Sequence, residues 1–385
     1  MLKEATNRRR FITLATVALL AGCQVIPKAP PEMAPPPERG PSNRLPSDSQ
    51  RHRVALLVPL GGPNGAVGQA IANAATMALL DTNAQNLRIT TYDTSAGVAS
   101  VTAQAISDGN KLILGPLVST DIPAVAAAAR GAHIPVISFS NDESAASGDV
   151  FIMGNVPSAS VERTVGYARA HGVSRFAALV PTGEYGERAS AALFSSVRAA
   201  GGSVVASETY DRSNTSVIGA ARRLHAKDGF DAVLIADGGR FAAQAAGQLK
   251  PAGASDGPRV LGTDLWSGES IVATTPALRG SWFSAVSDAR FRQFSTSYKT
   301  RFGAQPYRIA TLGYDAVLLT LRIARDWRVG TPFPVTRLVD SGGFIGLDGP
   351  FRFRRNGVIE RALEVREVTA NGVVVVSPAP TRFGE

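Results

Sequence analysis

The chain has 385 residues, 38 of them Gly, with 44% apolar and only 7% aromatic residues and a formal net charge of +9. That length holds two α/β lobes at roughly 100–200 residues per domain. Few aromatics and much Ala and Gly suit an open parallel sheet under closely packed helices better than a β-sandwich. Lys3, Arg8, Arg9 and Arg10 concentrate basic charge at the N-terminus, while the other basic residues are scattered with no block of five or six. Such a surface is soluble and attractive to an anionic polymer, and it speaks against a nucleic-acid partner.

Residues 1–23 run from a basic segment through the apolar stretch Phe11 to Leu20 into small residues. This is the pattern of a signal peptide, since a membrane span needs about 20 apolar residues. Leu20-Ala21-Gly22-Cys23 resembles a bacterial lipobox, in which the thiol is acylated before cleavage. Cys23 is the single cysteine of the chain, so it is the predicted lipidation site and membrane anchor, and the mature body holds no disulfide. Gln24 after the cysteine resembles the default for sorting to the outer membrane of Gram-negative cells, facing the periplasm. Arg8-Arg9-Arg10-Phe11-Ile12 reads equally as a twin-arginine export signal or an ordinary basic leader.

Residues 24–52 carry Pro27, Pro30, Pro31, Pro35, Pro36, Pro37, Pro41 and Pro46 with little to bury. They read as a polyproline tether, which at about 3.1 Å per residue reaches roughly 80–90 Å. The body, 53–385, opens on VALLVPL, a continuous apolar run of a buried parallel strand. A helix over 65–80 follows, then strand 88–94, helix 97–107, strand 111–115, helix 120–131 and strand 135–140. Four strands with three crossovers make a parallel sheet with right-handed connections. After FIMGNVPS a second series begins: helix 159–171, strand 176–181, helix 185–200, strand 203–210, helix 214–226, strand 231–237, helix 240–249 and strand 259–264. Strand 281–286 and helices 289–302 and 308–327 complete it. The tail, FRFRRN and ALEVREVTANGVVVVSP around Asn371-Gly372, reads as a closing antiparallel hairpin.

VALLVPLGGPNGAVGQAIANAATMALLD, LILGPLVSTDIPAVAAAARGAHIPVIS and the spacing Phe344-Ile345-Gly346-Leu347-Asp348-Gly349 with Phe353 and Gly357 resemble the leucine/isoleucine/valine-binding branch of type I periplasmic binding proteins. The resemblance spans 53–377. It implies an α/β fold of two Rossmann-like lobes with parallel sheets and a cleft between them: lobe 1 about 53–157 plus 287–327, lobe 2 about 158–286 plus 328–385. Within that branch the opening run and LILGPL look most like penicillin-binding protein activators, lipoproteins that partner peptidoglycan synthases. Some of those carry a further helical-repeat domain, where this chain has only its Pro-rich segment.

Ligands of open α/β sheets bind beyond the carboxyl ends of the strands. That rule selects Ser119 after the third strand, at a helix start where free N–H groups hold a carboxylate. It also selects Ser140 and Asn141 after the fourth, where the resemblance implies a loop gripping the α-carboxylate and α-amine of an amino acid. Ser119 and Asn141 read equally as helix caps or turn formers. Asp142 departs from the family, and it would repel a carboxylate unless it pairs with an ammonium or caps the next helix. On the second lobe Tyr185 aligns with an aromatic that closes over the ligand, or else packs at a helix start. Asp237 ends a strand facing the same cleft to receive an ammonium, or serves the turn before Gly238-Gly239.

His52, His133, His171 and His225 share no metal-ligand spacing, no nucleophile elbow or P-loop is present, and no cofactor is expected. Gly61-Gly62-Pro63-Asn64-Gly65-Ala66-Val67-Gly68 does not fit the dinucleotide fingerprint, which argues against an oxidoreductase. Two functions remain. The first is a non-catalytic outer-membrane adaptor of a peptidoglycan synthase. The second is a receptor that delivers an amino acid or similar small ligand to an ABC importer, against which outer-membrane sorting and Asp142 weigh.

Overall fold

In the computed structural model the described residues are 50–212, 215–250 and 257–383. Cys23, the signal peptide and the tether up to residue 49 lie outside them. The described residues hold together as one compact unit, and within it two sheets organise the chain.

The first sheet contains β1 (His52–Val58), β2 (Leu87–Asp93), β3 (Leu112–Leu114), β4 (Val136–Ser138) and β5 (Val150–Ile152), ordered β2-β1-β3-β4-β5. All its pairings are parallel. β1 lies in the middle, and Val54 to Val58 are buried on both faces, which is why they read as an unbroken apolar run. β2 is an edge strand and correspondingly mixed in burial. Helices α1 (Gly65–Asp81), α2 (Val98–Ser107) and α3 (Ile122–Gly131) make the crossovers. β5, which runs into the start of FIMGNVPS, is a fifth strand beyond the expected four.

The second series builds α4 (Pro157–Ala170), β6 (Arg175–Pro181), α5 (Glu184–Ala199), β7 (Ser203–Tyr210), α6 (Ser216–Lys227), β8 (Ala232–Ile235), α7 (Gly239–Leu249), β9 (Arg259–Gly262), the short α8 (Ser270–Thr274) and β10 (Trp282–Ala285). These strands run β7-β6-β8-β9-β10, the same winding order as the first sheet. The expected α/β fold of two Rossmann-like lobes is therefore the observed one. One packing device recurs in both: a Cβ at Gly68 of α1 would overlap the carbonyl oxygen of Pro59, and one at Gly186 of α5 that of Pro181. Only glycine lets each helix start lie against the end of its strand.

After β10 the chain returns to the first lobe through α9 (Ala289–Phe302) and α10 (Thr311–Ala324). Leu312, Ala316, Val317, Leu319 and Ile323 of α10 join the core of the first sheet. Here the expected tail divides. FRFRRN does not enter the closing hairpin: β11 (Phe344–Gly346), β12 (Gly349–Phe353) and β13 (Ile359–Arg361) form a separate antiparallel sheet. Phe333, Phe344, Phe351, Phe353 and Ile359 pack into the first core, so residues 333–359 belong with lobe 1 and not lobe 2. The reason is aromatic: Phe151 of β5 meets Phe353 edge-on at 5.3 Å between ring centres. Only β14 (Glu364–Thr369) and β15 (Gly372–Ser377) form the hairpin, which extends the second sheet antiparallel beyond β10.

Candidate functional site

A cleft of about 590 Å³ opens between the lobes, a volume typical of small-molecule sites. Lobe 1 contributes Asn64, Ser119, Phe139, Ser140, Asn141 and Arg308, and lobe 2 contributes Tyr185, Asp264, Ser267 and Val286. Four expected residues, Ser119, Ser140, Asn141 and Tyr185, thus meet at one place, brought there by strand ends that converge.

Ser119 opens a 3-10 turn, Ser119–Asp121, that leads into α3, and no side chain caps that helix. Ser140 is buried and its hydroxyl accepts from the Asp142 amide at 3.1 Å, which leaves its proton free to donate. Tyr185 is half-buried, with its hydroxyl 3.0 Å from Thr263 Oγ1 and its ring against the second core. It both packs and lines the cleft. Burial raises its pKa far above the ordinary tyrosine range.

Asp237 is elsewhere. It is buried, its Oδ2 accepts from Tyr210 at 2.5 Å and from Arg212 Nε at 2.8 Å, and its Oδ1 accepts from the Gly238 amide at 2.8 Å. Its carboxylate is absent from the cleft lining because the end of β7 supplies it with a hydroxyl and a guanidinium. Of its two readings the turn is the one that fits.

Asp142 takes the second of the two escapes, a cap, and finds a guanidinium of the chain itself in place of an ammonium. Its Oδ1 accepts from the amide and hydroxyl of Ser144, capping the short turn Glu143–Ala145, and lies 3.1 Å from Nη2 of Arg188 on α5. This pair joins the lobes across the cleft mouth, and its side chains are only 16% and 18% exposed. Ser158 of α4 donates to Glu143 Oε2 at 2.5 Å, a second bond between lobes.

Three polar groups of the cleft have no counterpart in the sequence reading. Asp264 follows β9; burial lifts its pKa to about 7, and Arg308 offsets that only in part. Arg308 is set by a chain of contacts. Asp315 of α10 accepts from the Leu347 amide at 2.6 Å, and Asp348 accepts from Arg308 Nη1 at 2.6 Å and Thr311 at 2.9 Å. The guanidinium lies over Phe291 at 4.4 Å, and its Nε and Nη2 are buried without a hydrogen-bond partner. Asn155 Oδ1 is likewise buried and unpaired. Unpaired buried donors and acceptors of this kind are what a polar ligand or bound water satisfies. The strand-end rule would have found Asp264; Arg308 arrives from the return segment, where the rule has no purchase.

Among the described residues no group of three or more His, Cys, Asp or Glu is placed to hold a metal. No helix among them is long and apolar enough to cross a membrane.

A sequence model of the family described as periplasmic binding protein matches residues 52–373. An uncharacterized protein of Rickettsia prowazekii (strain Madrid E) is 29% identical over 136 residues, a match spanning 35% of this chain and 36% of that protein. Among solved structures, a putative branched-chain amino acid ABC transporter protein from Rhodospirillum rubrum superposes with a TM-score of 0.73 at 22% identity, covering 85% of this chain and all of that one. LivJ from Streptococcus pneumoniae, solved in complex with isoleucine, gives 0.60 at 21% identity over 85% of this chain and 100% of its own. Full-length LpoA from Haemophilus influenzae gives 0.65 at 18% identity over 87% of this chain and 60% of that one.

Proposed function

Since this chain belongs to the periplasmic binding protein family, we propose that it acts in the cell envelope as a non-catalytic, lipid-anchored adaptor that docks on a peptidoglycan synthase and favours its active state. The observation that carries this reading is the Asp142–Arg188 pair across the cleft mouth. A receptor that ferries a solute must part its lobes at every cycle, and a half-buried ion pair spanning them opposes that. An adaptor gains from it, because a fixed separation presents one constant face. Activation then requires that this face bind the active synthase conformation more tightly than the inactive one, as equal affinity shifts nothing. The anchor at Cys23 and the tether, both read from sequence, supply the reach.

A second reading, a solute receptor, is favoured by the cleft itself: Arg308 Nη2 and Asn155 Oδ1 lack hydrogen-bond partners and Arg308 Nε has only Asp288 Oδ1 at 3.8 Å, while Arg188, shared between Asp142 and Glu184, weakens the repulsion Asp142 exerts on a bound carboxylate. The two readings separate in one experiment. The soluble chain lacking residues 1–23 should bind a purified synthase ectodomain and show little thermal shift with common amino acids. A shift of several degrees that saturates at micromolar leucine or a relative, without synthase binding, reverses the order.

A further inference from the structure

We propose that the pole of lobe 1 opposite the cleft is a docking face for an anionic phospholipid surface. In a parallel α/β lobe the strands all begin at one end, and the ligand crevice lies beyond the other. β1 begins at His52, so this pole is also where the segment leading to Cys23 joins the body. An anchor at Cys23 thus pulls on this pole rather than on the cleft.

Several elements end on the same pole. The His52 ring stacks on that of Trp327, just past α10, at 4.0 Å between ring centres. Its amide donates to Asn86 O at 2.9 Å, in the turn after α1. Arg301, in the last turn of α9, pairs at 2.9 Å with Asp81 at the end of α1. From α9 through β13, residues 289–361, the chain holds 13 Lys and Arg against 5 Asp and Glu, so this stretch carries most of the net charge of +9. At the pole that excess surfaces as Arg325 and Arg328, which flank Trp327 and are exposed. Arg51 and Arg53 at the start of β1 and Lys111 before β3 add to it. The acids nearby are already held: Asp81 by Arg301, Asp326 by Arg337, Asp149 by Arg130, and Asp108 buried beneath Tyr92.

Exposed apolar side chains select lipid over a soluble polyanion. Leu80, in the last turn of α1, is 61% exposed, and Val329, beside Arg328, is 39% exposed. A hydrophilic polyanion offers nothing to bury them against, whereas cations next to apolar side chains match the headgroup and acyl layers of a bilayer. A lipid-modified residue together with a basic patch is also the pairing that makes membrane anchoring firm.

The test uses the chain lacking residues 1–23, whose described residues form one compact unit. It should sediment with vesicles of phosphatidylethanolamine and phosphatidylglycerol and not with vesicles of phosphatidylcholine. Binding should vanish at about 1 M salt, where the Debye length falls to about 3 Å. Arg325→Gln combined with Arg328→Gln should cut the bound fraction several-fold at unchanged Tm, and Arg240→Gln combined with Arg279→Gln, exposed sites on lobe 2, should not. Val329→Ser should lower vesicle binding and leave retention on heparin unchanged. No preference for the anionic vesicles, equal losses from the two Arg pairs, or vesicle binding that Val329→Ser leaves intact overturns the proposal. The inference rests on the Cys23 anchor of the proposed function and not on the synthase. Vesicle results therefore leave synthase binding untouched, and an unmodified Cys23 in mass spectrometry would remove the anchor whatever the vesicles show.

Discussion

Asp264 shows how one side chain ties the cleft to pH. In the unfolded chain an aspartate titrates near 3.8, whereas burial in the cleft lifts the folded value to about 7. Between those values the folded protein holds a proton that the unfolded chain has lost. Stability therefore falls as pH rises through this window and levels off above 7. Asp264→Asn removes the titration: its gain in Tm over wild type should be near zero at pH 4 and largest at pH 8. A gain independent of pH would show that the carboxyl is already ionised throughout. At this scale the sequence made Ser119, Ser140, Asn141 and Tyr185 legible because strand ends in an α/β sheet converge on one crevice. Asp237 obeys the same rule and still turns away, since its partners Tyr210 and Arg212 lie at and just beyond the end of β7, on the far side of β6, where no local pattern places them.

Elements were legible where they are long and periodic. β1, α1, β6 and α5 fall within a residue or two of their expected bounds. β5 escaped notice because the four apolar residues Val150 to Met153 between Gly148 and Gly154 give no period to read. β12 was assigned to the wrong partner because alternation predicts a strand but not which strand it joins. The glycines at the two helix starts make a prediction of their own. Gly68→Ala and Gly186→Ala should each lower stability by about 1–3 kcal/mol, read by urea unfolding, because the new methyl has only a strand carbonyl to displace. Gly166→Ala, in α4 with open space around it, should instead gain up to about 1 kcal/mol from helix propensity.

For the whole molecule, the pair that bridges the lobes decides how freely they move. Asp142→Asn and Arg188→Gln should couple in a double-mutant cycle by about 1–3 kcal/mol, as groups in direct contact do. Either variant should widen the distribution of distances between fluorophores placed one on each lobe. An unchanged distribution would mean that other contacts between the lobes, such as Ser158–Glu143, and not this pair, hold them. Nothing in the sequence could have matched Asp142 with Arg188, since each sits in a separate lobe and neither lies in a motif that names the other.

Neither lobe is a contiguous stretch of chain. The first sheet is complete by Ile152, yet Leu312 to Ile323 of α10 and the phenylalanines of 333–353 that cover it come only after the second series. During synthesis the first sheet, covered by α1, α2 and α3, therefore waits for the rest of its cover, which comes from residues made last. Contacts so distant along the chain make for slow closure and an interval open to aggregation. The last third of the chain is thus what completes a core begun in the first.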